Sequence, residues 1–273
     1  MTTTVIVKER YDQAHPTITI QEIRWLLRRC GRYSPMSTMI LLAVTAGLRC
    51  DELLHLTLFN VSPDFQSFKY VVHKPKQTKD GQELVITRKH RLVTLDPWVA
   101  GELKAYCDLN FSIFETKEGL RYHSPYHDKT PNKFGQYQTQ KLFPWKNTSI
   151  FEAYWYKLRK AMTKAGFDAE RLDSLSMRPN GERPVYCVRF HSLRHVALSI
   201  YYYKHHMDLK KAQEWIKHSR SQTTDGYVHS AEALGVETSY LMNCSYAELF
   251  GFDDQQLSLS SATVHEQKSL YQF

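Results

Sequence analysis

Apolar positions along the 273-residue chain recur mostly at helical spacing. From Thr17 to Glu22 the sequence predicts a helix start. Thr19 and Glu22 stand three apart as in a capping box, Ile23, Leu26 and Leu27 follow on one face, and Arg28 and Arg29 lie where the helix dipole favours cations. Met36 to Ala46 is apolar almost all round, which predicts a buried helix, and Gly47 breaks it. A third helix then begins, with Leu53 and Leu56 inward and Arg49 in its first turn. Phe68 to His73 alternates and is rich in β-branched residues, so a strand is expected, with Asp80-Gly81 as the turn and Glu83–Thr87 and Arg91–Leu95 as the return. Pro97 opens an amphipathic helix over Trp98–Leu109, and residues 110–150 read as an irregular surface insertion. Helices are expected again over Ser149–Ala165, ended by Gly166, over Arg189–Tyr203, and over Leu209–His218 with Asp208 as N-cap, separated by a loop at 168–186. An apolar helix around Tyr240–Phe250 closes the pattern. The expected fold class is mainly α with one small antiparallel β-sheet (α+β). Residues 1–16 are expected as a leader or linker remnant, 17–252 as one domain, and 253–273 as a polar tail.

Charge and cysteine usage narrow the picture. With 36 basic against 28 acidic side chains the net charge is +8, which favours a polyanionic partner. The five cysteines (Cys30, Cys50, Cys107, Cys187, Cys244) are odd in number, scattered and without a C-x-x-C pair, so neither a zinc module nor a disulfide framework is indicated and buried thiols are expected. No apolar run approaches the ~20 residues of a membrane span, and the N-terminus lacks a signal-peptide core. An intracellular soluble protein with no membrane partner is therefore expected.

The densest chemistry lies between Cys187 and His229. His191 and Arg194 stand three apart on one helix face, His218 follows 24 residues after the arginine, and Tyr227 nine residues after that. His191 and His195 at four-residue spacing could instead form a zinc pair, but Ser192 stands where the zincin pattern needs Glu, and no third ligand has useful spacing. Ser192 has no G-x-S-x-G elbow. Arg49 taken alone reads as a surface arginine paired with Glu52, and Tyr227 is one of 17 tyrosines.

Taken together, Gly47-Leu48-Arg49-Cys50-Asp51-Glu52-Leu53-Leu54, a basic hairpin with Lys74, Lys76 and Lys79, His191-Ser192-Leu193-Arg194-His195, and Ile216-Lys217-His218 with Tyr227 resemble the catalytic domain of the tyrosine recombinases, the phage integrase family. The match runs in order over roughly residues 17–245. It departs at Lys217, where the family often has Gly, and in the length of the 110–150 insertion. Only 48 residues precede Arg49, so a catalytic domain alone is expected, natural or cut from a longer protein.

The resemblance implies a fold related to type IB topoisomerases and site-specific cutting and rejoining of DNA strands through a 3′-phosphotyrosyl intermediate, with no metal, ATP or other cofactor. Tyr227 would be the nucleophile, Arg49 and Arg194 the phosphate clamps, His191 and His218 the proton-transfer and phosphate-contacting imidazoles, and Lys76 or Lys79 the general acid. The implied partners are double-stranded DNA and three further copies of the chain on it, with the protein weakly associated or monomeric otherwise. The helix at Tyr240–Phe250 would either pass to a neighbour or pack on its own domain. A mobile element of a prokaryotic or viral host and a nucleoid-associated cytoplasmic location would fit. Alternatives are a type IB topoisomerase-like or hairpin telomere resolvase activity, and a non-catalytic DNA-binding module.

Overall fold

The computed structural model describes residues 17–77, 83–116, 119–127, 139–178, 181–217 and 224–252, with the backbone alone over 70–91 and 173–184. The helices are α1 (Ile20–Cys30), α2 (Pro35–Ala46), α3 (Cys50–Leu54), α4 (Pro97–Asn110), α5 (Thr148–Lys164), α6 (Phe190–Lys204), α7 (Leu209–Ile216), α8 (Thr238–Asn243) and α9 (Tyr246–Phe250). Strands β1 (Ser67–Gln77) and β2 (Glu83–Thr94), β3 (Ser112–Thr116) and β4 (Gly119–His123), and β5 (Leu172–Arg178) and β6 (Gly181–Tyr186) form three separate antiparallel pairs.

Local signals set the helix ends. The Thr19 hydroxyl accepts from the Glu22 amide at 3.2 Å while Glu22 Oε2 accepts from the Thr19 amide at 2.8 Å, the reciprocal capping box. Asp96 caps α4 by accepting from the Trp98 amide at 2.9 Å, with Pro97 at the first position, and Asp208 caps α7 through the Lys211 amide at 3.0 Å. Every residue of α2 is buried, and it packs against α1, α4 and α6 as the axis of the core. Helix α6 is nearly as enclosed, yet its buried residues include Ser192, Arg194, His195 and Ser199. Buried polar groups of this kind carry a desolvation cost unless they are paired. Among the described residues no helix is long and apolar enough to cross a membrane.

Four expectations need correction. There are three small sheets rather than one: 168–186 is largely the β5–β6 hairpin, and 112–123 holds the β3–β4 hairpin. The β3–β4 strands expose most residues on both faces, so they carry no alternation for a sequence to reveal. The 110–150 stretch is also not wholly superficial. Leu142, Phe143 and Trp145 are buried, the Leu142 amide donates to Leu56 O at 2.9 Å, and Tyr106 Oη donates to Leu142 O at 2.6 Å. Lys74 and Lys76 lie within β1 rather than at its bend, and the register shifts between Lys74 and Pro75, where a proline without an N–H is accommodated. Finally, Tyr240–Phe250 is two short helices, because Ser245 starts a new capping box with Glu248. Helix α9 packs on its own domain: Leu249 and Phe250 are buried, and Arg24 Nε donates to Leu249 O at 2.8 Å.

Candidate active site

Two clusters meet on α6. The first joins the α2–α3 corner to the end of α7. Arg49 is the N-cap of α3, and its amide donates to Glu52 Oε2 at 2.8 Å while its Nη1 donates to Glu52 Oε1 at 3.1 Å. The expected Arg49–Glu52 pair is therefore present, with the Arg49 side chain 45% exposed. Glu52 also faces Arg194, whose Nη1 lies 3.9 Å from Oε2, so one carboxylate is shared by two guanidinium groups.

Arg194 is 1% exposed. Its Nη1 donates to the Gly47 carbonyl and its Nη2 to the Ile216 carbonyl at 2.8 Å, so a single side chain of α6 holds the C-terminal ends of α2 and α7. This fork needs the planar donor geometry of guanidinium. Gly47 ends α2 in the left-handed conformation at φ +62°, and a Cβ there would come within 2.7 Å of Ile216 Cδ1 and 3.0 Å of the Trp215 ring. Gly47→Ala thus meets both backbone strain of about 1–2 kcal/mol and overpacking of about 1–3 kcal/mol. Urea unfolding is expected to show a loss of roughly 2–5 kcal/mol in the variant.

The second cluster is aromatic. The Thr224 carbonyl accepts from the amides of Tyr227 and Val228 at 3.0 and 3.2 Å, and this turn lays the half-buried Tyr227 against α6. The Tyr227 ring stacks on His195, centroids 3.9 Å apart and planes at 20°, and meets the edge of His191 at 6.1 Å. The His229 ring lies nearly parallel to that of His195, with centroids 5.7 Å apart. Burial, followed by the neighbouring His191, His229, Arg189 and Arg194, drives the His195 pKa from 6.5 down to about 2, so this imidazole is neutral. Its buried Nε2 has no hydrogen-bond partner among the described residues.

A group neutral in the folded state but protonated in the unfolded chain contributes its full stability above pH 6.5 and loses it as pH falls toward the folded value. From this site the protein is expected to lose about 2 kcal/mol between pH 7 and pH 5. Urea midpoints at the two pH values should show that loss reduced in His195→Phe; equal losses in both proteins would remove His195 as its source.

The structure therefore places Arg49 and Arg194 around one carboxylate, and His191 and Tyr227 in one aromatic group, with neighbouring residues of α6 linking the two clusters. Lys76 is placed only by its backbone pairing opposite Leu84, and Lys79 and His218 lie outside the described residues. Ser199, Tyr203 and His229 have no part in the sequence motifs, and His195 enters them as a possible zinc partner of His191 and as the last residue of the box from His191 to His195. Their signal was the four-residue spacing of His191, His195, Ser199 and Tyr203. Among the described residues no group of three or more His, Cys, Asp or Glu is arranged to hold a metal ion. Cys30, Cys107, Cys187 and Cys244 are buried and Cys50 is half-buried, and burial pushes the Cys30 thiol up to about 12.

No protein-family model matches the sequence, and no curated protein matches it. Solved structures do match. XerA recombinase is 18% identical, with 87% of this chain and 67% of that one covered at a TM-score of 0.50. The Tn1549 transposon integrase in complex with circular intermediate DNA is 15% identical, with 81% of this chain covered at 0.47, and this chain spans 64% of that one, less than two thirds. The catalytic domain of bacteriophage HP1 integrase is 14% identical, with 94% and 99% covered at 0.40. At these identities the likeness concerns architecture: the chain has the fold of the tyrosine recombinase catalytic domains.

Proposed function

We propose that the protein is a site-specific DNA recombinase or integrase that breaks and rejoins strands through a phosphotyrosyl intermediate on Tyr227. The observation that carries this reading is the convergence on α6. The Tyr227 phenol packs against imidazoles of the helix that also carries a buried arginine, and this arginine reaches the corner bearing Arg49, 145 residues away in sequence.

In the proposed reaction Tyr227 Oη attacks a backbone phosphorus, the bond to the 5′-oxygen breaks, and a 3′-phosphotyrosine and a free 5′-hydroxyl result. The phenolic proton leaves through His191, and the departing 5′-oxygen receives a proton from a hairpin lysine, Lys76 or Lys79. The exposed Arg49 fork binds the non-bridging oxygens, where its charge-assisted hydrogen bonds strengthen as negative charge builds in the pentacoordinate transition state. Two of the Arg194 donors are engaged by carbonyls, so its share is positive charge beneath the phosphate and the placing of Arg49 and of the chain leading to His218. His218 contributes a further phosphate contact. The linkage energy is kept in the ester, and the reverse attack by a 5′-hydroxyl reseals a strand without a nucleotide cofactor. The proposed partners are duplex DNA, which suits the net charge of +8, and further copies of the chain assembled on it.

The test uses a pool of nicked duplexes with randomised sequence around the nick, so that the cleaved end diffuses away and the covalent product accumulates. Protein–DNA adducts stable to SDS are expected in the presence of EDTA. Cleavage that disappears with EDTA would instead indicate a metal-dependent nuclease. Relaxation of a supercoiled plasmid without two-site exchange would move the assignment to a topoisomerase-like activity.

A further inference from the structure

Helix α6 presents His195, Ser199 and Tyr203 at four-residue spacing, and the segment after the Thr224 turn runs along them at two-residue spacing. The Tyr227 ring stacks on His195 at 3.9 Å. The His229 amide donates to Ser199 Oγ at 2.9 Å, and that hydroxyl donates to the His195 carbonyl, also at 2.9 Å. The Ala231 amide donates to Tyr203 Oη at 3.1 Å. Four residues of helix, a rise of about 6 Å, therefore face two residues of the segment, and three successive contacts stay in step. A slip of one residue would put Val228 on the His195 ring and break both hydrogen bonds together.

We propose that His195 is a positioning residue for strand cleavage: its buried ring is the platform that fixes the plane of the Tyr227 phenol, and the His195–Ser199–Tyr203 stripe sets the register of the segment carrying it. This rests on the reading of Tyr227 as the nucleophile. A ring stacked face to face cannot accept the phenolic hydrogen bond, so His195 acts through orientation and not as the base. His195 is neutral in this setting, so it adds no cation beside the phenol, and a flat apolar ring of similar size can replace it.

The experiment measures adduct formation under single-turnover conditions on the nicked duplexes, together with DNA affinity and thermal unfolding, for wild type, His195→Ala, His195→Phe and Tyr227→Phe. His195→Ala is expected to slow adduct formation about 100-fold, the scale of a small misplacement of reacting groups, at unchanged DNA affinity. His195→Phe restores the platform and is expected within about threefold of wild type, a rescue on the same scale of orientation effects. If His195→Ala reacts at the wild-type rate, or His195→Phe is as slow as His195→Ala in a folded protein, the platform is overturned while the nucleophile stands. Adducts that persist undiminished in Tyr227→Phe would overturn both.

Discussion

Tyr227→Phe is expected to bind DNA as wild type does and to form no covalent adduct, a loss of at least roughly 10⁴-fold, the scale on which removal of a nucleophile alone disables an enzyme. The Tyr227 ring is held by stacking on His195 and by the backbone turn at Thr224, and a phenylalanine ring keeps both. The melting temperature should therefore stay within about 2 °C of wild type, less than the shift produced by 1 kcal/mol in a domain of this size. Comparing adduct yield on a denaturing gel with the melting curve separates lost chemistry from lost structure. A variant that melts normally and still forms adducts would place the nucleophile elsewhere among the tyrosines.

Arg194→Met is expected to fail in both respects, and the contrast with Arg49→Ala makes the result informative. Methionine fills much of the buried space but leaves the carbonyls of Gly47 and Ile216 without their donor and Glu52 without its second cation. Two hydrogen bonds from a charged group are lost in the interior, which at the usual worth of such bonds costs about 3 kcal/mol or more. In a domain of this length that lowers the melting temperature by roughly 6–12 °C. Arg49 is nearly half exposed but its partner Glu52 is only 9% exposed, so Arg49→Ala should cost about 1–2 kcal/mol, less than Arg194→Met, while abolishing cleavage. If both variants melt alike, the buried fork does not hold the α2 and α7 ends as described.

The parts of this fold legible from sequence are those fixed by local chemistry. Thr19 with Glu22, Asp208, and the almost wholly apolar run of α2 located helices because each signal acts within a few residues. The β3–β4 hairpin was not legible, since strands exposed on both faces have no period-two pattern. Leu142, Phe143 and Trp145 were hidden by the polar composition around them, and only the tertiary bonds to Leu56 and Tyr106 show them as core. The site divides along the same line. The spacing of His191 and Arg194 on one helix face follows from helical geometry. That Arg194 spends its donors on backbone from two distant segments depends on how α2, α6 and α7 pack, and no local rule gives it. His195 shows how two local options compete: four-residue spacing to His191 permits a metal pair, whereas in the folded chain its ring turns its face to Tyr227.

The most direct test of the proposed activity is to isolate the SDS-stable adduct, digest protein and DNA to completion, and locate the nucleotide remnant by tandem mass spectrometry. A 3′-phosphonucleotide on the Tyr227 oxygen, on no other residue, is the predicted result. A remnant on another side chain, or attachment through a 5′-phosphate, would contradict it.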